Sequence, residues 1–93
     1  MVIGILKLDM HIPLSGSLKE KRMILKSVKD KIRNRFNVSV SEVDDLDKWQ
    51  RAKVAVVGCN SDGSYVNAEL NSVVDMIKEN SSIELLNYAI ETI

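Results

Sequence analysis

The sequence predicts an α+β fold in which four strands and two helices follow the order βαββαβ. Three observations carry this expectation: an alternating apolar run at 2–12, two apolar stripes of helical period beginning near Leu18 and Val66, and a valine-rich run at 52–59 between them. Right-handed crossovers in this order put both helices on one face of a four-stranded antiparallel sheet with strand order 4-1-3-2, the ferredoxin-like or split-βαβ sandwich. With 93 residues, 45% of them hydrophobic, the chain fits one small domain over 1–93 with a modest core.

In the first strand Val2, Leu6, Leu8, Met10 and Ile12 share a face with Gly4, while Lys7, Asp9 and His11 take the other; Pro13, which cannot donate to a ladder, ends it. Ser17 and Glu20 have capping-box spacing and open a helix over about 17–36. Leu18, Leu25, Val28, Ile32 and Phe36 form its apolar face with Ile24 at the edge, and Asn37 is its expected terminator. "VSVSEV", 38–43, alternates as a strand does, "DDLDKWQR", 44–51, is a polar loop, and "AKVAVVGC", 52–59, reads as a central strand. "NSDGS", 60–64, is turn and cap chemistry ahead of the stripe Val66, Leu70, Val73, Val74 and Ile77. "ENSS" closes that helix, and the aromatic and β-branched content of "IELLNYAIETI", 83–93, then favours a last strand. The expected core comprises Leu6, Leu8, Leu25, Val28, Ile32, Val54, Val56, Leu70, Val73 and Ile77.

A formal net charge of zero conceals an asymmetry. Residues 1–36 carry nine Lys/Arg against three Asp/Glu, and residues 37–93 carry four against ten. The segment 17–36 alone holds eight basic residues and two acids. Within it Lys19, Arg22, Lys26, Lys29 and Arg33 recur at spacings of three, four, three and four, which places them in a stripe about 80° wide beside the apolar face. Like charges so spaced repel by a few tenths of a kcal/mol per pair, and Asp30 offsets part of this through Lys26, so local stability does not explain the row. Such a row is either a solvated flank, whose stems cover the core edge and whose charges can also pair with the acids at 42–47, or a line of phosphate contacts to structured RNA. Aromatics make up 4% of the chain and none falls on the first or third strand, so an RNA module that stacks bases on its sheet is not expected.

Other chemistry is sparse. "EVDDLDKWQR" lacks the glycine and the distal glutamate of a calcium loop. Trp49 in that loop is expected to cover one end of the core, with an exposed partner anchor as the other reading. His11 and Cys59 are the only His and Cys, too few ligands for zinc, and Cys59 at the end of an apolar strand reads as a small core residue. A Cys–His pair remains open in the sequence without support. No phosphate loop, dinucleotide fingerprint or nucleophile elbow is present, and no acid, base and nucleophile assemble, so no catalytic residues, cofactor, metal or small-molecule ligand are expected. A single cysteine, no apolar run of membrane-spanning length and no basic start to the N-terminus point to a cytoplasmic protein.

Three stretches together, "SLKEKR" at 17–22, "RFNVSVSEV" at 35–43 and "DKWQRA" at 47–52, resemble the YlxP-like family of small bacterial proteins of unknown function; the resemblance runs over about residues 1–80. It implies a ferredoxin-like fold and a bacterial cytoplasmic protein. Genes of the family tend to lie among translation and ribosome-maturation genes, which implies a connection to RNA or the ribosome. It implies no established activity and no catalytic residues.

The expectation is therefore a non-enzymatic protein that binds structured RNA or the ribosome through Lys19, Arg22, Lys26, Lys29 and Arg33. The alternative is a homo-oligomeric interaction or scaffolding module without nucleic-acid binding. For the latter, Ile3 and Ile5 on the non-core side of the first strand, Trp49 and Tyr88 are the candidate contacts, and a homodimer is expected through the open sheet face or the edge at 83–93.

Overall fold

A computed structural model describes residues 1–93. The elements are β1 (Val2–His11), α1 (Leu18–Arg35), β2 (Ser39–Asp44), β3 (Arg51–Asn60), α2 (Gly63–Glu79) and β4 (Glu84–Thr92). Every strand pairing is antiparallel and the sheet order is β2-β3-β1-β4, the expected order read from the other edge. The last segment is a strand, as its composition indicates.

Alternation along β1 and β3 sets the two sheet faces. Leu6, Leu8 and Met10 of β1 and Ala52, Val54 and Val56 of β3 are buried toward the helices. From α1 come Leu25, Val28 and Ile32, and from α2 Val66, Leu70, Val73, Val74 and Ile77. All ten expected core residues are buried. Gly4 has no side chain because α2 passes directly over it: a Cβ there would collide with Val66 and Leu70. β1 is central, with β3 on one side and β4 on the other, so the sheet edges are β2 and β4.

The helix ends follow local hydrogen-bond chemistry. Ser17 Oγ accepts from the Glu20 N–H at 3.1 Å, and the Glu20 carboxylate accepts from the Gly16 N–H at 3.0 Å, one residue before the cap itself. Asp62 caps α2, its carboxylate accepting from the Ser64 N–H at 2.8 Å.

Three expectations need correction. Asn37 does not turn the chain at the end of α1: Phe36 is already extended, φ −130° and ψ 145°, while its N–H still donates to Ile32 O, and the only non-glycine residue with positive φ is Asp45, at 60°. Cys59 is exposed rather than in the core, because it alternates out of phase with Val54 and Val56 and so lies on the open face opposite Ile3. Trp49 does not cover the core either; it is 56% exposed in the β2–β3 loop. The cover on that end of the core is polar instead. Gln50 Nε2 donates to Pro13 O and Ser15 O, each at 3.2 Å, and the Ile12 N–H donates to Gln50 O at 2.8 Å, joining the β1–α1 and β2–β3 loops.

Candidate nucleic-acid interface

α1 carries the row because its apolar stripe fixes which way the helix faces. With Leu25, Val28 and Ile32 turned to the sheet, the residues at the row's spacing emerge on the flank above edge strand β2, where Arg33 Nη2 donates to Val40 O at 2.9 Å. Lys19, Arg22, Lys26 and Arg33 are exposed and Lys29 is half-buried. From Lys19 to Arg33 the row climbs about 21 Å at 1.5 Å per residue.

The ion pairs bear on whether the row is paired with the acids at 42–47. None of the five cations pairs with the acids at 42–47. Two of those four acids are occupied elsewhere, Glu42 by Lys21 at 2.8 Å and Asp45 by Lys48 at 3.2 Å, and Asp44 and Asp47 have no ion-pair partner. Asp30 holds Lys26 at 2.9 Å and stands 3.8 Å from Arg33. The hydrogen bond from Lys26 holds the Asp30 carboxyl below its ordinary value of 3.8; desolvation opposes it, and the charges of Lys26, Arg33 and Lys29 each add a smaller lowering. Lys19, Arg22 and Lys29 have no ion-pair partner. The flank thus keeps most of its positive charge, and Arg33 and Arg35 in the last turn add cations where the helix dipole is negative.

Lys21, one residue from this row, is the feature that residue types concealed. Its side chain is 0% exposed, and its ammonium lies within 3.3 Å of four oxygens: Glu42 Oε2 at 2.8 Å, Asp45 O at 2.8 Å, Leu46 O at 3.3 Å and Arg51 O at 3.2 Å. A buried ammonium is tolerable only with such partners. The signal for it was positional: Lys21 precedes Leu25 by four residues and Val28 by seven, so it sits on the apolar stripe. The three sequence stretches behind the family resemblance meet at this spot, through Lys21, Glu42, and Gln50 with Arg51.

The open sheet face is divided. One half carries Lys7 paired with Glu91 at 3.1 Å, Asp9 with Arg51 at 3.0 Å, and His11 with Glu84 at 3.3 Å. The other half is apolar, formed by Ile3, Ile5, Ala55 and Val57 with Cys59. No aromatic stands on β1 or β3. His11 and Cys59 occupy opposite ends of the sheet, eight residues apart in register, about 26 Å at the rise of a strand, and form no pair. Of the four candidate contact residues, Ile3 and Ile5 lie half-buried in the apolar half. Tyr88 sits apart from them, opposite Leu8 and so on the helix side of β4, with the Lys78 ammonium 5.5 Å from its ring centroid. Trp49 is at neither place; it belongs to the loop that Lys21 and Gln50 tie down. No helix is long and apolar enough to cross a membrane.

The family model described as "Protein of unknown function (DUF503)" matches residues 3–90. The uncharacterized protein YlxP of Bacillus subtilis (strain 168) is 36% identical to this chain over 83 residues, covering 89% of this chain and 90% of that protein.

Proposed function

The chain belongs to the DUF503 family, whose function is unknown, and on that premise we propose that it binds structured RNA, ribosomal RNA first among candidates, through phosphate contacts along α1. One observation carries the reading. Five cations stand in a single row on an outward flank, with Asp30 as the only acid paired to them, and none of the five pairs with the acids at 42–47. Lysine and arginine on a regular helix supply backbone affinity and position, not base readout. The sheet face free of aromatics on β1 and β3 supports the same division: shape and phosphate are recognised, single-stranded bases are not stacked. The proposal includes no reaction. The genomic setting associated with the family resemblance directs it toward the ribosome.

Binding to purified ribosomal RNA over a salt series tests it. The wild-type chain is expected to bind with an affinity that falls linearly as salt rises on logarithmic axes. Lys19→Glu with Arg22→Glu removes two cations that have no ion-pair partner, and should weaken binding and flatten the slope by about 0.7–0.9 per lost contact. Equal affinity and equal slope in the double variant would defeat the proposal.

A further inference from the structure

The two sheet edges are finished differently. β2 is six residues long, is broken by a bulge between Glu42 and Asp44, and has its Val40 carbonyl covered by Arg33. β4 is nine residues long, contains no Pro, Lys or Arg, and has Glu84 and Glu91 as its only charges. Its irregularity is confined to its start, where Leu86 is extra between the pairs Asp9–Asn87 and Met10–Leu85; from Asn87 onward it runs regularly beside β1. Ile3 and Ile93 exchange both backbone bonds, at 3.0 and 2.8 Å. Antiparallel alternation then turns the backbone groups of Glu91 and Ala89 toward β1 and those of Tyr88, Ile90 and Thr92 away from the sheet. The Asn87 side chain accepts from the outward Tyr88 N–H at 2.9 Å, which leaves the Ile90 and Thr92 donors facing outward. Edges this long and regular, without a lysine or proline, are templates for another strand.

We propose that the occupant is a second copy of this chain, with β4 pairing antiparallel to β4 about a two-fold axis at Ile90 to make a continuous eight-stranded sheet. The register follows from the bulge and the charges. An axis at Ala89 would set Thr92 opposite the bulged Leu86; an axis at Ile90 uses the regular segment alone, with Ile90 facing Ile90 in a hydrogen-bonded pair and the Thr92 N–H donating to Tyr88 O of the second copy, while the Tyr88 N–H stays with Asn87. On the open face Glu91 then stands across from Ala89 of the second copy, and Ala89 is in register with Lys7. The small alanine lets the two long side chains approach over it. Each Glu91 carboxylate, already 3.1 Å from its own Lys7, gains Lys7 of the second copy, and no acid faces an acid. This pairing uses β4 and leaves α1, over the far edge, unobstructed, so it is independent of RNA binding.

Sedimentation of the chain at tens of micromolar, together with residue-resolved amide exchange, tests this. The expected species has twice the 10.4 kDa chain mass, and its Ile90 and Thr92 amides are protected in the dimer and exchange freely on dilution, while Ala89 and Glu91 stay protected throughout. Thr92→Pro deletes an outward N–H without touching the β1 ladder and should raise the dimer dissociation constant about tenfold or more. Ile5→Lys, on the open face, should leave the dimer intact. A monomer at these concentrations overturns the proposal. So does a dimer in which Ile90 and Thr92 exchange as freely as in the monomer, or one that Ile5→Lys dissociates while Thr92→Pro does not.

Discussion

Lys21→Ala removes an ammonium that is 0% exposed and strands its partners. Glu42, with a side chain 14% exposed, loses its counter-ion, and the carbonyls of Asp45, Leu46 and Arg51 lose a donor. Removing one member of a buried ion pair costs about 3–5 kcal/mol, a figure that already contains much of the penalty for the group left behind. The carbonyls of Asp45 and Leu46 lie in the β2–β3 loop and that of Arg51 at the start of β3, and they are not added separately. Domains of this class hold about 5–15 kcal/mol in total, so the loss is a large share. With a urea slope of about 1.5 kcal/mol/M, the unfolding midpoint should fall by about 2–3 M at unchanged slope. Lys21→Met keeps the aliphatic stem and should recover only a minor part, which separates loss of charge from loss of packing. Lys48→Ala supplies the contrast: its ammonium, 3.2 Å from Asp45, is on a side chain 59% exposed, so although the Asp45 side chain is only 10% exposed the loss should be about 1 kcal/mol or less. A midpoint shift below about 0.5 M in Lys21→Ala, or equal shifts in the Lys21 and Lys48 variants, would refute the assignment of Lys21 as the tie between α1 and the loop.

Leu25→Ala opens a void under α1 at a position 2% exposed and should cost about 2–5 kcal/mol in the same denaturation assay. Gly4→Ala forces β1 and α2 apart at Val66 and Leu70 and should cost about 1–3 kcal/mol, a lower melting temperature being the readout. Asp30→Asn releases Lys26 and, if α1 binds RNA phosphates, should tighten binding and steepen its salt dependence rather than weaken either. The Asp30 carboxyl is held below 3.8 by Lys26, so its pairing is present above that value and is lost only as pH falls through the lower folded-state value. RNA affinity measured between pH 5 and 8 should therefore show no step from this group.

β1 and the two helices are legible because each obeys one period, whereas β3 is marked by a continuous apolar run and β4 by composition. Leu6, Leu8 and Met10 announce β1 at period two, and Leu25, Val28 and Ile32 announce α1 at period 3.6. The basic row was legible for the same reason, since helical spacing that defines a buried face also defines its flanks. Cys59 was misassigned although the alternation that buries Val54 and Val56 puts it on the other side; the continuous apolar character of 52–59 hid the parity. Lys21 is hidden from any reading by residue type, while its place on the stripe marks it as buried. The bond from Arg33 to Val40 O and the clasp of Gln50 on Pro13 and Ser15 join segments that only tertiary packing brings together, and no local pattern encodes them. Asn37 failed as a terminator because the chain passes straight from Arg35 into extended backbone on the way to β2, with no need for a left-handed residue.

The central position of β1 also has a consequence in time. Of the six elements this strand, Val2–His11, is made before the others, yet both of its neighbours come late: β3 at Arg51–Asn60 and β4 at Glu84–Thr92. The pair Lys7–Glu91 spans 84 positions of sequence, so the β1–β4 ladder closes a loop nearly as long as the fold. Long-range pairing of this kind slows folding, because chain entropy is lost before the contacts that reward it form. Until β4 arrives, a nascent chain carries its most apolar strand with one side unprotected. Stop codons or proteolysis that remove the segment after Glu79 should therefore yield an aggregating species rather than a smaller folded one, and refolding should be limited by a single slow step that reports the arrival of the final strand.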